Sequence, residues 1–274
     1  MSGWMVAAQA ACMGVVEGIT EYLPISSTGH LLLVEKWLGF VFHESFEVVI
    51  QIGAVLAVLV EYRRRFVNLI PFRGKSRGGF SGWTGLLWLA LTTLPAAVVG
   101  VLFHDVLKER LFTPGVIAAA LAIGGGVMIV LERCLPQRPE SGAGHAGVDG
   151  VGWKRALGVG LFQCAAMIPG TSRSMSTILG GRLLGLDRKT AAEYSFFAAV
   201  PVLVLAGIWD LYQGLSSLTR ADIVPYLVGL GVSYLVAVLA IRFLIRMLAR
   251  HTLEAFGWYR LALAAVVWFT LVRG

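Results

Sequence analysis

The sequence predicts an all-α polytopic membrane protein, with six transmembrane helices plus two re-entrant helical hairpins arranged as inverted-topology repeats. Three observations carry that prediction. Only 14% of the 274 residues are charged while 57% are hydrophobic, against about 25% charged in a soluble domain. Six apolar stretches approach the roughly 20 residues an α-helix needs to cross the hydrocarbon layer. Two further apolar regions are each cut near the middle by Pro, Gly and hydroxyl residues. Irregular backbone at membrane depth survives only when buried in protein or lining a wet cavity, so each of these regions reads as a hairpin of two half-length helices.

In chain order, the first hairpin covers 3–38 and breaks at Pro24-Ile25-Ser26-Ser27-Thr28-Gly29. Spans follow at 46–62, 84–103 and 115–132, completing a first repeat over 1–135. The Gly- and Pro-containing segment 136–152 reads as a flexible cytoplasmic linker. The second repeat, 153–274, opens with a hairpin over 153–186 that breaks at Pro169-Gly170-Thr171-Ser172, and continues with spans at 191–212, 223–247 and 255–272. Gly14-Val15-Val16-Glu17 and Gly160-Leu161-Phe162-Gln163 lead into the two breaks. An odd number of spans between the copies turns the second upside down, which places a shared site near the midplane.

Orientation follows from the basic residues. Arg63, Arg64, Arg65, Arg73, Lys75 and Arg77 follow the first span and place that loop in the cytoplasm. Counting onward puts Arg133, Arg138, Lys154, Arg155, Arg246 and Arg250 on the same side and both termini outside. The formal net charge of +7 therefore reflects membrane topology and implies no nucleic-acid partner. Cys12, Cys134 and Cys164 have neither CxxC spacing nor a pairing scheme and read as small apolar residues. Trp4, Trp37, Trp83 and Trp153 sit near element ends, as interface anchors do. Membrane lipids are the surrounding partners, and homo-oligomerisation stays open.

The chemistry-bearing residues cluster at the two breaks. Glu17 and Glu21 are four apart, so a helix places both carboxylates on one face. Two like charges in an apolar segment need compensation, and a divalent cation (Mg²⁺ or Ca²⁺) held by their oxygens supplies it. Pro24 stops the incoming helix, Ser26 or Ser27 caps the outgoing one, and the free N–H groups at that helix start form an anion site. Thr28 adds a hydroxyl. His30 lies three residues beyond Ser27 and four beyond Ser26, within a turn of either hydroxyl. At the second break, Arg173 suits bidentate phosphate binding. Gly170 permits close backbone approach, while Thr171, Ser172 and Ser174 contribute hydroxyl donors. Gln51 and Glu193 are polar residues in apolar spans, read either as cavity lining or as glue between helices. Gly124-Gly125-Gly126 lies within a span and suits close helix packing, and no Walker loop is present.

The run Glu17-Gly18-Ile19-Thr20-Glu21-Tyr22-Leu23-Pro24-Ile25-Ser26-Ser27-Thr28-Gly29-His30, with Pro169-Gly170-Thr171-Ser172-Arg173-Ser174, resembles the two signature motifs of the undecaprenyl-diphosphate phosphatase family of the bacitracin-resistance type. The resemblance covers nearly the whole chain. It implies metal-dependent hydrolysis of undecaprenyl diphosphate, a polyprenyl diphosphate lipid substrate, to undecaprenyl phosphate and inorganic phosphate. That reaction recycles the lipid carrier for peptidoglycan and other envelope polymers. It also implies a bacterial cytoplasmic (inner) membrane location and a site open to the outer face. Glu17, Glu21, Ser27, His30 and Arg173 match the family's catalytic positions.

The expected division of labour gives phosphate binding to Arg173 and the helix starts, cation binding to Glu17 and Glu21, attack to Ser27 and proton transfer to His30. Attack by His30 itself or by water stays open. A transporter or flippase of a polyprenyl phosphate or other anionic substrate is the alternative, because inverted repeats with broken helices are transporter architecture.

Overall fold

Long apolar runs without internal breaks become long helices, and the Pro- and hydroxyl-rich segments interrupt them. The computed structural model describes residues 3–39, 44–72, 79–135, 147–214 and 222–273, and among them the regular structure is entirely helical. The principal helices are α1 (Gly3–Thr20), α2 (Ser27–Leu38), α3 (Glu44–Glu61), α4 (Arg63–Leu69), α5 (Gly82–Val106), α6 (Pro114–Cys134), α7 (Gly152–Gln163), α8 (Arg173–Leu183), α9 (Arg188–Gly214), α10 (Ile223–Leu248) and α11 (Glu254–Val267). Arg73, Lys75, Arg77 and Arg138, most of the linker at 136–152, and most of the loop after α9 lie outside the described residues.

Among the described residues, five helical segments are long and apolar enough to cross a membrane: Gly82–Phe103, Pro114–Cys134, Arg188–Asp210, Ile223–Leu248 and Glu254–Val272. They coincide with five of the six expected spans. The span expected at 46–62 is α3, which bends by 83° at Tyr62 into α4. The run Arg63-Arg64-Arg65 begins at that bend, and a charged turn cannot continue into hydrocarbon. Pro95 and Pro201 lie inside α5 and α9.

The outer surface is apolar. Val101, Leu102, Ile123, Ile208, Leu227, Leu235 and Leu239 are all more than 60% exposed, while Glu17, Glu132, Arg182 and Arg260 are buried. That inversion of the soluble pattern is what a lipid solvent selects.

The helices pack in a pattern of like pairs. The first helix before a break, α1, crosses α10, and its counterpart α7 crosses α5; α3 packs on α9, and α6 on α11. The crossings are close because they are made at glycine. A Cβ on Gly14 would lie 2.6 Å from the Gly229 carbonyl oxygen, and one on Gly160 would lie 2.7 Å from that of Thr92. Backbones approaching this closely use the small-residue packing characteristic of helices in lipid.

Ion pairs tie the helices to one another. Arg242 Nη2 meets Glu61 Oε2 at 2.8 Å, joining α10 to α3, and Arg65 Nη1 meets Asp149 Oδ2 at 2.8 Å. The buried Glu132 receives Arg188 Nε at 2.8 Å and stands 3.6 Å from Arg182 Nε, joining α6 to α8 and α9.

Candidate active site

Both breaks solve the same local problem in the same way. α1 ends at Thr20 and α7 at Gln163, and each chain reverses through irregular backbone before the outgoing helix starts. The residue before that start is Ser26 in one case (φ 73°) and Ser172 in the other (φ 74°). Positive φ in a residue with a Cβ costs about 1–3 kcal/mol, and such strain collects at functional sites. Ser172 caps α8 by accepting from Met175 N at 3.3 Å. Ser26 occupies the equivalent place but makes no side-chain cap. Ser26 is buried, so α2 starts within the protein with first-turn N–H groups that this side chain does not cap.

The two breaks meet. Arg173 Nη2 contacts Glu21 Oε1 at 2.8 Å, a pair whose side chains are 10% and 6% exposed. Arg173 Nη1 donates to the Ser195 carbonyl oxygen at 2.9 Å, and the guanidinium carbon lies 5.6 Å from the Tyr22 ring centre. Ser174 Oγ donates to the Leu23 carbonyl oxygen at 2.9 Å, a second tie between the breaks. Ser27 Oγ donates to the other Glu21 oxygen, Oε2, at 3.1 Å. One carboxylate thus holds a hydroxyl from its own hairpin and a guanidinium from the other.

Glu17 is buried one turn before Glu21, and its Oε1 has no hydrogen-bond partner. Glu21, Glu47 and Arg173 all lie near enough to act on it electrostatically. An unpartnered carboxylate oxygen next to a second carboxylate is a fitting place for a hard cation. Among the described residues no set of three His, Cys, Asp or Glu side chains is arranged to hold a metal. Any ion at Glu17 and Glu21 would therefore take further oxygens from elsewhere, as Mg²⁺ does from phosphates.

His30 is turned away from Ser27. Its Nδ1 lies 2.7 Å from the Ser26 carbonyl oxygen, which can only accept, so Nδ1 carries the proton. Nε2 of the neutral ring then accepts from the Tyr259 hydroxyl at 2.7 Å, and the two rings are 5° from parallel. The hydroxyl the sequence places within a turn of His30 is bonded instead to Glu21.

The remaining predicted residues divide between the site and its support. Thr28 is half-buried in the first turn of α2, and Thr171 is half-buried just before α8. Gly170, with φ +89°, passes so close to α6 that a Cβ would lie 2.6 Å from the Ile117 carbonyl oxygen. Ser172 Oγ lies 3.0 Å from Ser174 Oγ. Gln51 is half-buried with no side-chain bond placing it at the breaks. Glu193 lies near enough to Tyr62, at the bend between α3 and α4, to act on it electrostatically.

Sequence reasoning missed four residues. Tyr259 holds His30, and Glu47 lies near enough to Glu17 to act on it electrostatically. Thr177 bonds the Ser195 hydroxyl at 2.6 Å and so supports the Arg173 anchor. Arg260 bonds the backbone of both breaks. Arg260 and Glu47 carried a usable signal, since an ionisable residue inside an apolar span is a functional candidate by default.

Residues 10–266 match the family model described as bacitracin resistance protein BacA. Curated relatives are similar over nearly the same extent. The undecaprenyl-diphosphatase of Sorangium cellulosum (strain So ce56) is 47% identical over 265 residues, covering 94% of this chain and 84% of that one. The undecaprenyl-diphosphatase of Maridesulfovibrio salexigens is 47% identical over 263 residues, covering 95% and 97%. That of Bordetella avium (strain 197N) is 42% identical over 269 residues, covering 94% and 95%.

Proposed function

The chain belongs to the bacitracin resistance protein BacA family, and we propose on that premise that it is an undecaprenyl-diphosphatase working at the meeting point of its two breaks. It releases inorganic phosphate from undecaprenyl diphosphate and leaves undecaprenyl phosphate, the carrier reused in peptidoglycan synthesis. The observation that carries the site assignment is the shared carboxylate: Glu21 binds Arg173 at 2.8 Å through one oxygen and Ser27 at 3.1 Å through the other. A hydroxyl, a proton acceptor and a phosphate-binding cation are thereby within one another's reach.

In the proposed reaction the terminal phosphate enters between the two helix starts and draws Arg173 onto its oxygens. The guanidinium and first-turn N–H groups stabilise the charge that spreads over the transferring group. Ser27 Oγ attacks the terminal phosphorus, its proton passes to Glu21, and the bond from phosphorus to the bridging oxygen breaks, freeing undecaprenyl phosphate. Water then attacks the phosphoserine and releases phosphate, regenerating the Ser27 hydroxyl. His30, with Nδ1–H on the Ser26 carbonyl oxygen and Nε2 on the Tyr259 hydroxyl, takes part in proton transfer only by exchanging one of those partners for a group of the site. Glu17 and Glu21 would hold a divalent cation (Mg²⁺ or Ca²⁺). Bound there, it would offset the carboxylate charges and draw negative charge from the phosphates.

We place the two broken helical pairs as re-entrant hairpins from opposite faces of the bacterial inner membrane, with six spans and both termini outside. The like pairing of α1 with α10 and α7 with α5, and of α3 with α9 and α6 with α11, supports inverted repeats about a midplane site. The ion pairs on Arg65, Arg133 and Arg242 support a common cytoplasmic side for the basic segments. The site then opens to the outer face.

The test is phosphate release from undecaprenyl diphosphate by the purified chain in detergent, before and after chelation. Release that stops with chelator and returns with Mg²⁺ or Ca²⁺ is the expected outcome. A chain that moves the lipid between leaflets but releases no phosphate would be a transporter instead.

A further inference from the structure

Arg260 lies within α11 and is completely buried. Its Nη1 donates to the Pro24 carbonyl oxygen at 3.4 Å, and its Nη2 donates to those of Gly170 at 3.0 Å and Ala120 at 3.1 Å. Among the described residues, none of the ion pairs includes it. A guanidinium buried without a carboxylate is costly unless its N–H groups are satisfied in another way. Here backbone carbonyls satisfy the two terminal nitrogens while Nε is left without a partner, and two of the three carbonyls come from the breaks.

Those two carbonyls are equivalent. Pro24 stands two residues before Ser26 and Gly170 two residues before Ser172, the pair of serines with φ 73° and 74° that precede the outgoing helices. A single planar cation therefore grips the same point of both breaks at once. Its space is reserved by Gly124 on α6, where any Cβ would collide with Nη2 of Arg260. Next to it, a Cβ on Gly125 would lie 2.8 Å from the Gly257 carbonyl oxygen, so α6 and α11 meet closely enough to bring the guanidinium to the breaks. The central glycines of the span thus make room for a charge as well as for a helix.

We infer that Arg260 is a positioning residue that fixes the separation of the two breaks, holding Ser27 and Glu21 on one in register with Arg173 on the other. This rests on the hydrolase reading above. A guanidinium reaches three acceptors in one plane, whereas a lysine ammonium is a point charge on a flexible stem. Loss of register between attacking group and phosphate cradle acts on the reacting geometry, where a misplacement of about 1 Å costs about 10²-fold.

Arg260→Met and Arg260→Lys test this in detergent-solubilised protein with undecaprenyl diphosphate. Arg260→Met is expected to lower kcat about 10²-fold with KM within about threefold of the parent, because each break still binds its share of the phosphates. Arg260→Lys is expected to recover part of that loss. Hydrogen–deuterium exchange supplies a readout independent of turnover: in Arg260→Met both 22–30 and 169–176 should exchange faster together, with 223–248 unchanged. If Arg260→Met does not fold, Arg260→Lys alone decides, by faster exchange at both breaks or at neither. Parental kcat with only a lowered melting temperature, or faster exchange at one break alone, would overturn the inference. A parent that released no phosphate would sink the hydrolase reading, and the exchange data would still decide the positioning role.

Discussion

Arg173→Ala is expected to lower kcat/KM for undecaprenyl diphosphate by about 10³-fold or more, the scale on which an arginine stabilises a transferring phosphoryl group. The guanidinium is anchored on one side by the Ser195 carbonyl oxygen at 2.9 Å and on the other by Glu21 at 2.8 Å. The Ser195 anchor can stay in place while Arg173 exchanges Glu21 for phosphate oxygens, so part of its orientation is set before substrate arrives. Substitution also leaves Glu21 buried without its cation. Removing one partner of a buried pair costs about 3–5 kcal/mol, so kinetics must be read on protein whose melting behaviour shows it folded. Arg173→Lys separates the two effects. It keeps the charge but cannot hold both Ser195 and Glu21 in the same plane, so folding should recover more than turnover does. Phosphate release under single-turnover conditions is the measurement.

Glu21→Gln is expected to reduce kcat by about 10²- to 10⁴-fold, the contribution typical of a positioned proton acceptor. The change is nearly isosteric, so the fold should survive. What is lost is the charge that holds Arg173 and the oxygen that takes the Ser27 proton across 3.1 Å. Glu21 also shares with Glu17 the place where a cation fits, so the variant should need more Mg²⁺ for half-maximal phosphate release. Unchanged metal dependence would assign cation binding away from Glu21. If instead proton transfer ran directly from Ser27 to His30, Glu21→Gln would spare kcat at saturating metal, an outcome the His30 contacts with Ser26 and Tyr259 argue against.

Much of this was legible in the sequence because a lipid solvent makes exceptions conspicuous. Glu17, Glu21 and Arg173 stand out because charges are expensive in an apolar segment. Pro24, Pro169 and the serines after them mark the breaks because Pro ends a helix and Ser begins one. Five spans were legible from apolar length alone. The 83° turn at Tyr62 was not, because no Pro or Gly marks it and its cause is the charged run that follows. Contacts across the bundle were equally hidden. Tyr259 and Glu47 sit in regular helices with no local motif, and only packing brings them to His30 and Glu17. The direction of His30 was also out of reach, since helical spacing places its Cα but the Tyr259 hydroxyl selects its rotamer. Arg260 was readable as an anomaly and not as a role, because its partners are backbone carbonyls 236 and 90 residues away in sequence.

The most direct test of the two-hairpin site is a double-mutant cycle on phosphate release, comparing Glu21→Gln, Arg173→Ala and the combination. Residues that act as one catalytic unit are strongly non-additive, so the double variant is predicted to be about as slow as the slower single variant. A double variant whose loss equals the product of the two single losses would show that Glu21 and Arg173 work at separate places, contradicting a single site built from both breaks.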